Sequence, residues 1–223
     1  MNTSRAAPPL PPPEQPPRSA REPLPAPAQL LADWRAYGLP FRRCPRLLGA
    51  LPGGRSNASY LVEADGARVV LRLDGVGAAL ATDRARELRY LVAAGARGLA
   101  PPVVFADAAR GILVTAHVAG EHCVPATLDD TRLGALLALL EAVHALDIDD
   151  GPTDYRALAA HYRAGTATAA QDCPDTLDEH LGLLEALARR GPCHHDPVPA
   201  NVLFTASRPL LLDWEYAGRG FAL

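Results

Sequence analysis

Three observations predict an α+β fold, an antiparallel sheet with one crossing helix followed by a mainly helical portion. Asp65-Gly66 separates two alternating apolar runs, a helical pattern over 81–97 follows, and three helical patterns succeed one another from residue 129. An Asp-Gly pair between alternating runs signals a hairpin, because both central residues of its turn take positive φ.

The elements follow in chain order. Residues 1–28 hold ten of the 22 prolines with scattered charge, so this segment buries too little apolar surface to order itself and reads as a disordered tail. A solvated tail is the simple account, and docking of a PxxP-type segment to an aromatic groove is the alternative. Leu30, Leu31, Trp34 and Tyr37 then recur at helical spacing before Gly38 and Pro40. A loop containing Gly53-Gly54 leads into the hairpin, whose apolar positions include Tyr60, Val62, Val69, Leu71 and Leu73. In the helix of 81–97, Leu80, Ala85, Leu88, Leu91 and Val92 mark the buried face, Thr82 or Asp83 the N-cap, and Gly98 and Pro101 the end. Two β-like runs, VVFAD and GILVTAHV, turn at Ala109-Arg110-Gly111. Beyond them, leucines 133, 136, 137 and 140 with Val143 form a buried helical stripe, and two further helical patterns follow, the last closed by Gly191-Pro192. The runs NVLF and PLLLDW form the final strands, joined by a turn at 205–208.

Composition excludes several functions. A net charge of -3 gives no basic footprint for nucleic acid. No apolar run reaches the ~20 residues of a membrane span, and the proline-rich start is unlike a signal peptide, so the expectation is a cytoplasmic protein with no membrane partner. All 22 basic residues are arginine, which removes the P-loop lysine and Schiff-base chemistry. Cys44, Cys123, Cys173 and Cys193 form no C-x-x-C pair and are expected as reduced thiols.

The densest polar cluster is CHHDPVPANVLFTASRPLLLDWEYAG, with His194, Asp196 and Asn201 spaced H-x-D-x-x-x-x-N and Asp213 ending an apolar run. The spacing suits phosphoryl transfer: Asp196 would accept the proton of a substrate hydroxyl, while the Asn201 amide oxygen and Asp213 carboxylate would hold Mg²⁺ against the phosphates. His194 reads as a brace for the loop and His195 as solvated. A transition-metal site at Cys193, His194, His195 and Asp196 is disfavoured, since adjacent residues rarely face one ion.

This segment resembles the catalytic and metal loops of the aminoglycoside phosphotransferase, choline kinase and thiamine kinase superfamily, a branch of the protein-kinase-like fold. LLLDWEYAG is similar to members in which D-[FW]-E replaces the D-F-G of protein kinases. GGRSNASYLVE is similar to the nucleotide-covering loop, which implies that Gly53, Gly54, Ser56 and Asn57 approach phosphate oxygens. VVLRLDG resembles the third strand, with Arg72 as the phosphate-binding cation and Glu87 as its helical partner. ILVTAHVAGEH resembles the adenine-holding hinge, near His117 to Ala119.

The resemblance implies a two-lobe fold, with a nucleotide-binding N-lobe at 29–119 and a catalytic C-lobe at 120–223. The implied activity is ATP- and Mg²⁺-dependent phosphorylation of a small-molecule hydroxyl, of the choline or ethanolamine, thiamine, or aminosugar or aminoglycoside type. Many members have glycine where His195 stands, and the loop here carries Pro197 and Pro199. Only ten residues follow Asp213, so the C-lobe is expected to be incomplete, with apolar surface exposed where further helices pack in the family. A truncated nucleotide-binding pseudokinase or interaction module without turnover is the alternative reading.

Overall fold

A computed structural model describes residues 24–52, 57–75, 83–165 and 176–222. Most of the proline-rich segment, Leu80, Thr82 and Cys173 lie outside the described residues, while Cys44, Cys123 and Cys193 are free thiols. The N-terminal sheet is five-stranded and antiparallel, in the order β1-β2-β3-β5-β4. Its strands are β1 (Arg46–Ala50), β2 (Asn57–Ala64), β3 (Ala67–Asp74), β4 (Val103–Asp107) and β5 (Ile112–Ala116). Ala64 pairs with Ala67 across Asp65 (φ 51°) and Gly66 (φ 83°), the two-residue turn that the dipeptide predicts. β1 falls in a stretch whose sequence predicts a loop; its RLLGA run has no clean alternation and is recruited by β2.

The period of two sorts the side chains of β3. Val69, Leu71 and Leu73 face a core with Val62, Ile112 and Val114, closed by Leu30, Leu31, Trp34, Leu39 and Phe41. The first two of these closing residues lie on α1 (Pro27–Ala32), which is shorter than its apolar spacing suggests and gives way to turns before Trp34. Arg72 therefore points to the opposite face, in register with Ser59 on β2 and Leu113 on β5.

Helix α2 (Arg84–Ala96) starts at Asp83, whose carboxylate accepts the amides of Ala85 and Arg86 at 3.0 Å. Its buried face differs from the predicted one: Arg84, Glu87, Tyr90, Leu91 and Ala94 are inside, while Val92 is 50% exposed. The burial of two charges is sustained by ion pairs with other elements, described below.

The second core gathers Tyr90, Leu91 and Ala94 of α2 with Leu139, Val143, Val202, Leu211, Trp214 and Ala217. Leu139 and Val143 belong to α3 (Asp130–His144), capped by Asp129. The predicted stripe is corrected here: Leu133 and Leu137 are exposed, because leucines occupy too wide an arc of α3 for one packing face. Helices α4 (Tyr155–Gly165) and α5 (Leu177–Leu187) follow, and α5 leaves Leu183, Leu184 and Leu187 exposed.

The last predicted helix ends before Gly191-Pro192. Residues Arg189–Cys193 form β7 instead, paired with β10 (Gly218–Ala222). A three-stranded sheet of β6 (Glu121–His122), β8 (Val202–Phe204) and β9 (Pro209–Leu211) carries the polar cluster. Gly120 leads into it with no room for a side chain, since a Cβ there would lie 2.6 Å from the Phe204 carbonyl oxygen and 2.9 Å from Leu203 Cγ. Gly120→Ala is expected to destabilise the protein by about 1–3 kcal/mol in chemical denaturation, the usual range for overpacking.

Candidate active site

The β8–β9 hairpin brings the two ends of the polar cluster together. Val202 pairs with Leu211, and the Leu212 amide donates to the Asn201 carbonyl at 2.8 Å, so Asn201 and Asp213 emerge at the same end. The Asn201 amide nitrogen donates to the Asp196 carbonyl at 3.0 Å and to Asp196 Oδ2 at 2.9 Å. Asp196 is thus held by one oxygen, and the Asn201 amide oxygen points away from that contact.

His194 is a brace, as its sequence context suggests. It is buried, its Nε2 donates to the Leu212 carbonyl at 2.8 Å, and its Nδ1 accepts the Asp196 amide at 3.2 Å. Burial pushes its pKa down to about 4, so it stays neutral and keeps the tautomer that both bonds require. His195 is not simply solvated: its ring lies between the Tyr216 carbonyl (2.9 Å) and the Tyr155 hydroxyl (2.7 Å). Both His195 (φ 66°) and Asp213 (φ 54°) occupy the left-handed region, which side chains with a Cβ rarely adopt outside constrained sites.

Above the hairpin lies a buried charge network. Arg72 Nη2 is 2.6 Å from Glu87 Oε1, so strand and helix bring together the two residues that the family resemblance pairs. Arg72 Nη1 stands 3.5 Å from Asp213. Arg84 fills the centre, 2.6 Å from Glu87, 2.9 Å from Asp74 and 3.4 Å from Glu215, and donates to Asn57 Oδ1 at 2.7 Å. Asn57 in turn donates to Glu215 at 3.1 Å, so its side chain braces the network while Gly53, Gly54 and Ser56 lie outside the described residues. His117 and Ala119 sit on the irregular connection after β5, where the His117 amide donates to the Arg68 carbonyl at 3.1 Å.

Arg84, Glu215 and Asp150 do not stand out in the sequence. Asp150 is half-buried, its carboxylate set against Arg86 (3.0 Å), Arg89 (3.3 Å) and the Tyr90 hydroxyl (3.2 Å), tying α2 to the segment before α4. The available signal is the Asp-Trp-Glu triplet for Glu215 and the i, i+3 spacing of Arg84 and Glu87; nothing local marks Asp150.

The electrostatics suit a hard divalent cation. Burial raises the Asp213 pKa to about 6, Glu215 and Glu87 push in the same direction, and Arg72 opposes them. A carboxylate burdened in this way gains from a cation, and the Asp213 carboxylate with the Asn201 amide oxygen is an all-oxygen donor set of the kind Mg²⁺ takes, usually with waters and substrate phosphates. The residues therefore fit the ion. Between the ordinary carboxylate value and about 6 the folded state binds more protons than the unfolded one, so stability falls as pH rises through that window. Asp213→Asn removes this penalty: it is expected to melt above wild type near pH 7.5, with the difference shrinking towards pH 4, and to lose any stabilisation by Mg²⁺. Thermal unfolding at both pH values, with and without the ion, checks this.

Comparison with known proteins adds the family. The model of the phosphotransferase enzyme family matches residues 47–223. The choline kinase LicA from Streptococcus pneumoniae superposes with TM-score 0.67 at 20% identity, over 86% of this chain and 69% of that one. LicA in complex with AMP gives TM-score 0.62 at 19% identity, over 85% and 69%. The macrolide 2′-phosphotransferase MphH from Brachybacterium faecium gives 0.56 at 20%, over 87% and 73%. These likenesses show the kinase-like fold. No curated protein sequence matches the chain.

Proposed function

The chain belongs to the phosphotransferase enzyme family, and from that we propose that it transfers the terminal phosphoryl group of ATP to a hydroxyl of a small molecule. The observation that carries the reading is Asp196, held through Oδ2 by Asn201 and thereby presenting Oδ1, on the loop that ends beside Asp213. Oδ1 orients the acceptor hydroxyl and takes its proton as the oxygen attacks. Arg72, aimed by Glu87, holds phosphate oxygens with a guanidinium that stays charged. In the segment 29–119, the nucleotide side of the site, the family resemblance assigns Gly53, Gly54 and Ser56 to the phosphates and the connection at His117 to Ala119 to the base. The segment 120–223 supplies the proton acceptor and the ion-binding pair Asn201 and Asp213. Asn201 and Asp213 would hold Mg²⁺, which would supply charge neutralisation to the phosphates.

Among the described residues no helix is long and apolar enough to cross a membrane, which is compatible with work on a dissolved cytoplasmic metabolite. The acceptor is of the choline or ethanolamine, thiamine, or aminosugar or aminoglycoside type. The test is transfer of labelled phosphate from ATP and Mg²⁺ to a panel of these compounds. Phosphorylation of one panel member is the expected result. Nucleotide binding without transfer to any of them identifies the alternative, a nucleotide-binding module without turnover.

A further inference from the structure

His195 is the residue whose backbone sets the direction of Asp196, and its conformation is costly. The chain before it is fixed by pairing of Cys193 with Gly218 and by the bond from His194 to the Leu212 carbonyl. The chain after it is fixed by Asn201 on Asp196. Between these anchors the turn requires φ of 66° at His195, which glycine adopts freely and a residue with a Cβ does not.

The side chain of His195 supplies a remedy. Nδ1 faces the Tyr216 carbonyl, which only accepts, so Nδ1 carries the hydrogen and Nε2 accepts from the Tyr155 hydroxyl. Tyr155 is itself immobilised. Its ring stacks on Phe221 at 5.2 Å and 12°, and the preceding Thr153 amide donates to the Arg219 carbonyl at 2.8 Å. Gly220 leaves the space for this contact, because a Cβ there would collide with both His195 Nε2 and the Tyr155 hydroxyl.

We propose that Tyr155 and His195 form a side-chain clamp that holds the 194–196 turn in its left-handed conformation and so aims Asp196 at the acceptor. Tyr155 is a positioning residue: its hydroxyl bonds the His195 ring and acts on Asp196 through it. The proposal rests on the reading of Asp196 as the proton acceptor.

The test compares wild type, Tyr155→Phe, His195→Gly, the double variant and His195→Ala in phosphate transfer and in thermal unfolding. Tyr155→Phe is expected to lower kcat about fivefold, the effect of one hydrogen bond, with KM for the acceptor little changed. In the His195→Gly background the same substitution is expected to change kcat by less than about twofold, because glycine holds the turn without a clamp. His195→Ala is expected to lie below His195→Gly in both kcat and melting temperature, against the order of side-chain size. Equal effects of Tyr155→Phe in the two backgrounds, or alanine above glycine, overturn the clamp. If wild type transfers no phosphate to any acceptor, the functional reading fails, and the melting temperatures of the same proteins still decide the clamp.

Discussion

Asp196→Asn is expected to lower turnover by on the order of 10²- to 10⁴-fold, the usual contribution of a positioned proton acceptor, while leaving nucleotide binding intact. The substitution is nearly isosteric, and the new amide can turn its oxygen toward the Asn201 nitrogen that now donates to Oδ2. The loop therefore keeps its form, but the atom left facing the acceptor becomes an N–H donor that cannot take a proton. Labelled-phosphate transfer measures the first effect, and the thermal shift produced by ATP with Mg²⁺ measures the second. An unchanged rate in Asp196→Asn would remove this residue from the chemistry even if the protein proves to be a kinase.

Arg84→Met carries the largest expected effect on stability. Arg84 is 4% exposed and meets Asp74, Glu87, Glu215 and Asn57 at once. Methionine fills a similar volume but leaves Glu87 with Arg72 alone and Glu215 with only the Asn57 amide among the described partners. Stranding buried carboxylates costs about 3–5 kcal/mol, read as a lower urea midpoint at neutral pH. Adding Glu215→Gln to Arg84→Met is expected to recover part of the loss, a coupling that a double-mutant cycle exposes.

Features legible in the sequence are those fixed by neighbours along the chain. Asp65-Gly66 declares its turn because positive φ is a local demand, and Asp83 declares the start of α2 because an N-cap reaches only two or three residues forward. The H-x-D-x-x-x-x-N spacing and Asp-Trp-Glu triplet likewise mark Asp196, Asn201 and Asp213 as one polar cluster. Features fixed by distant partners are not legible. β7 is a strand only because Gly218–Ala222 returns beside it, and its RRGPC run carries no alternation. Glu87 and Arg84 look like a surface pair at i, i+3; their burial depends on Asn57 and Glu215 arriving from other strands and loops. The same holds for His195, whose ring is occupied by partners 40 and 21 residues away.

Helix α2 has divided loyalties. Its Tyr90, Leu91 and Ala94 are sunk among Val143, Leu211 and Trp214, whereas Glu87 reaches up to Arg72 on β3. Its charged end is therefore held to β3 by a directional pair at 2.6 Å, while the apolar core that α2 shares with Leu211 and Trp214 also takes in Val103 and Leu113 of the sheet, so the helix ties the two sheets together through both kinds of contact.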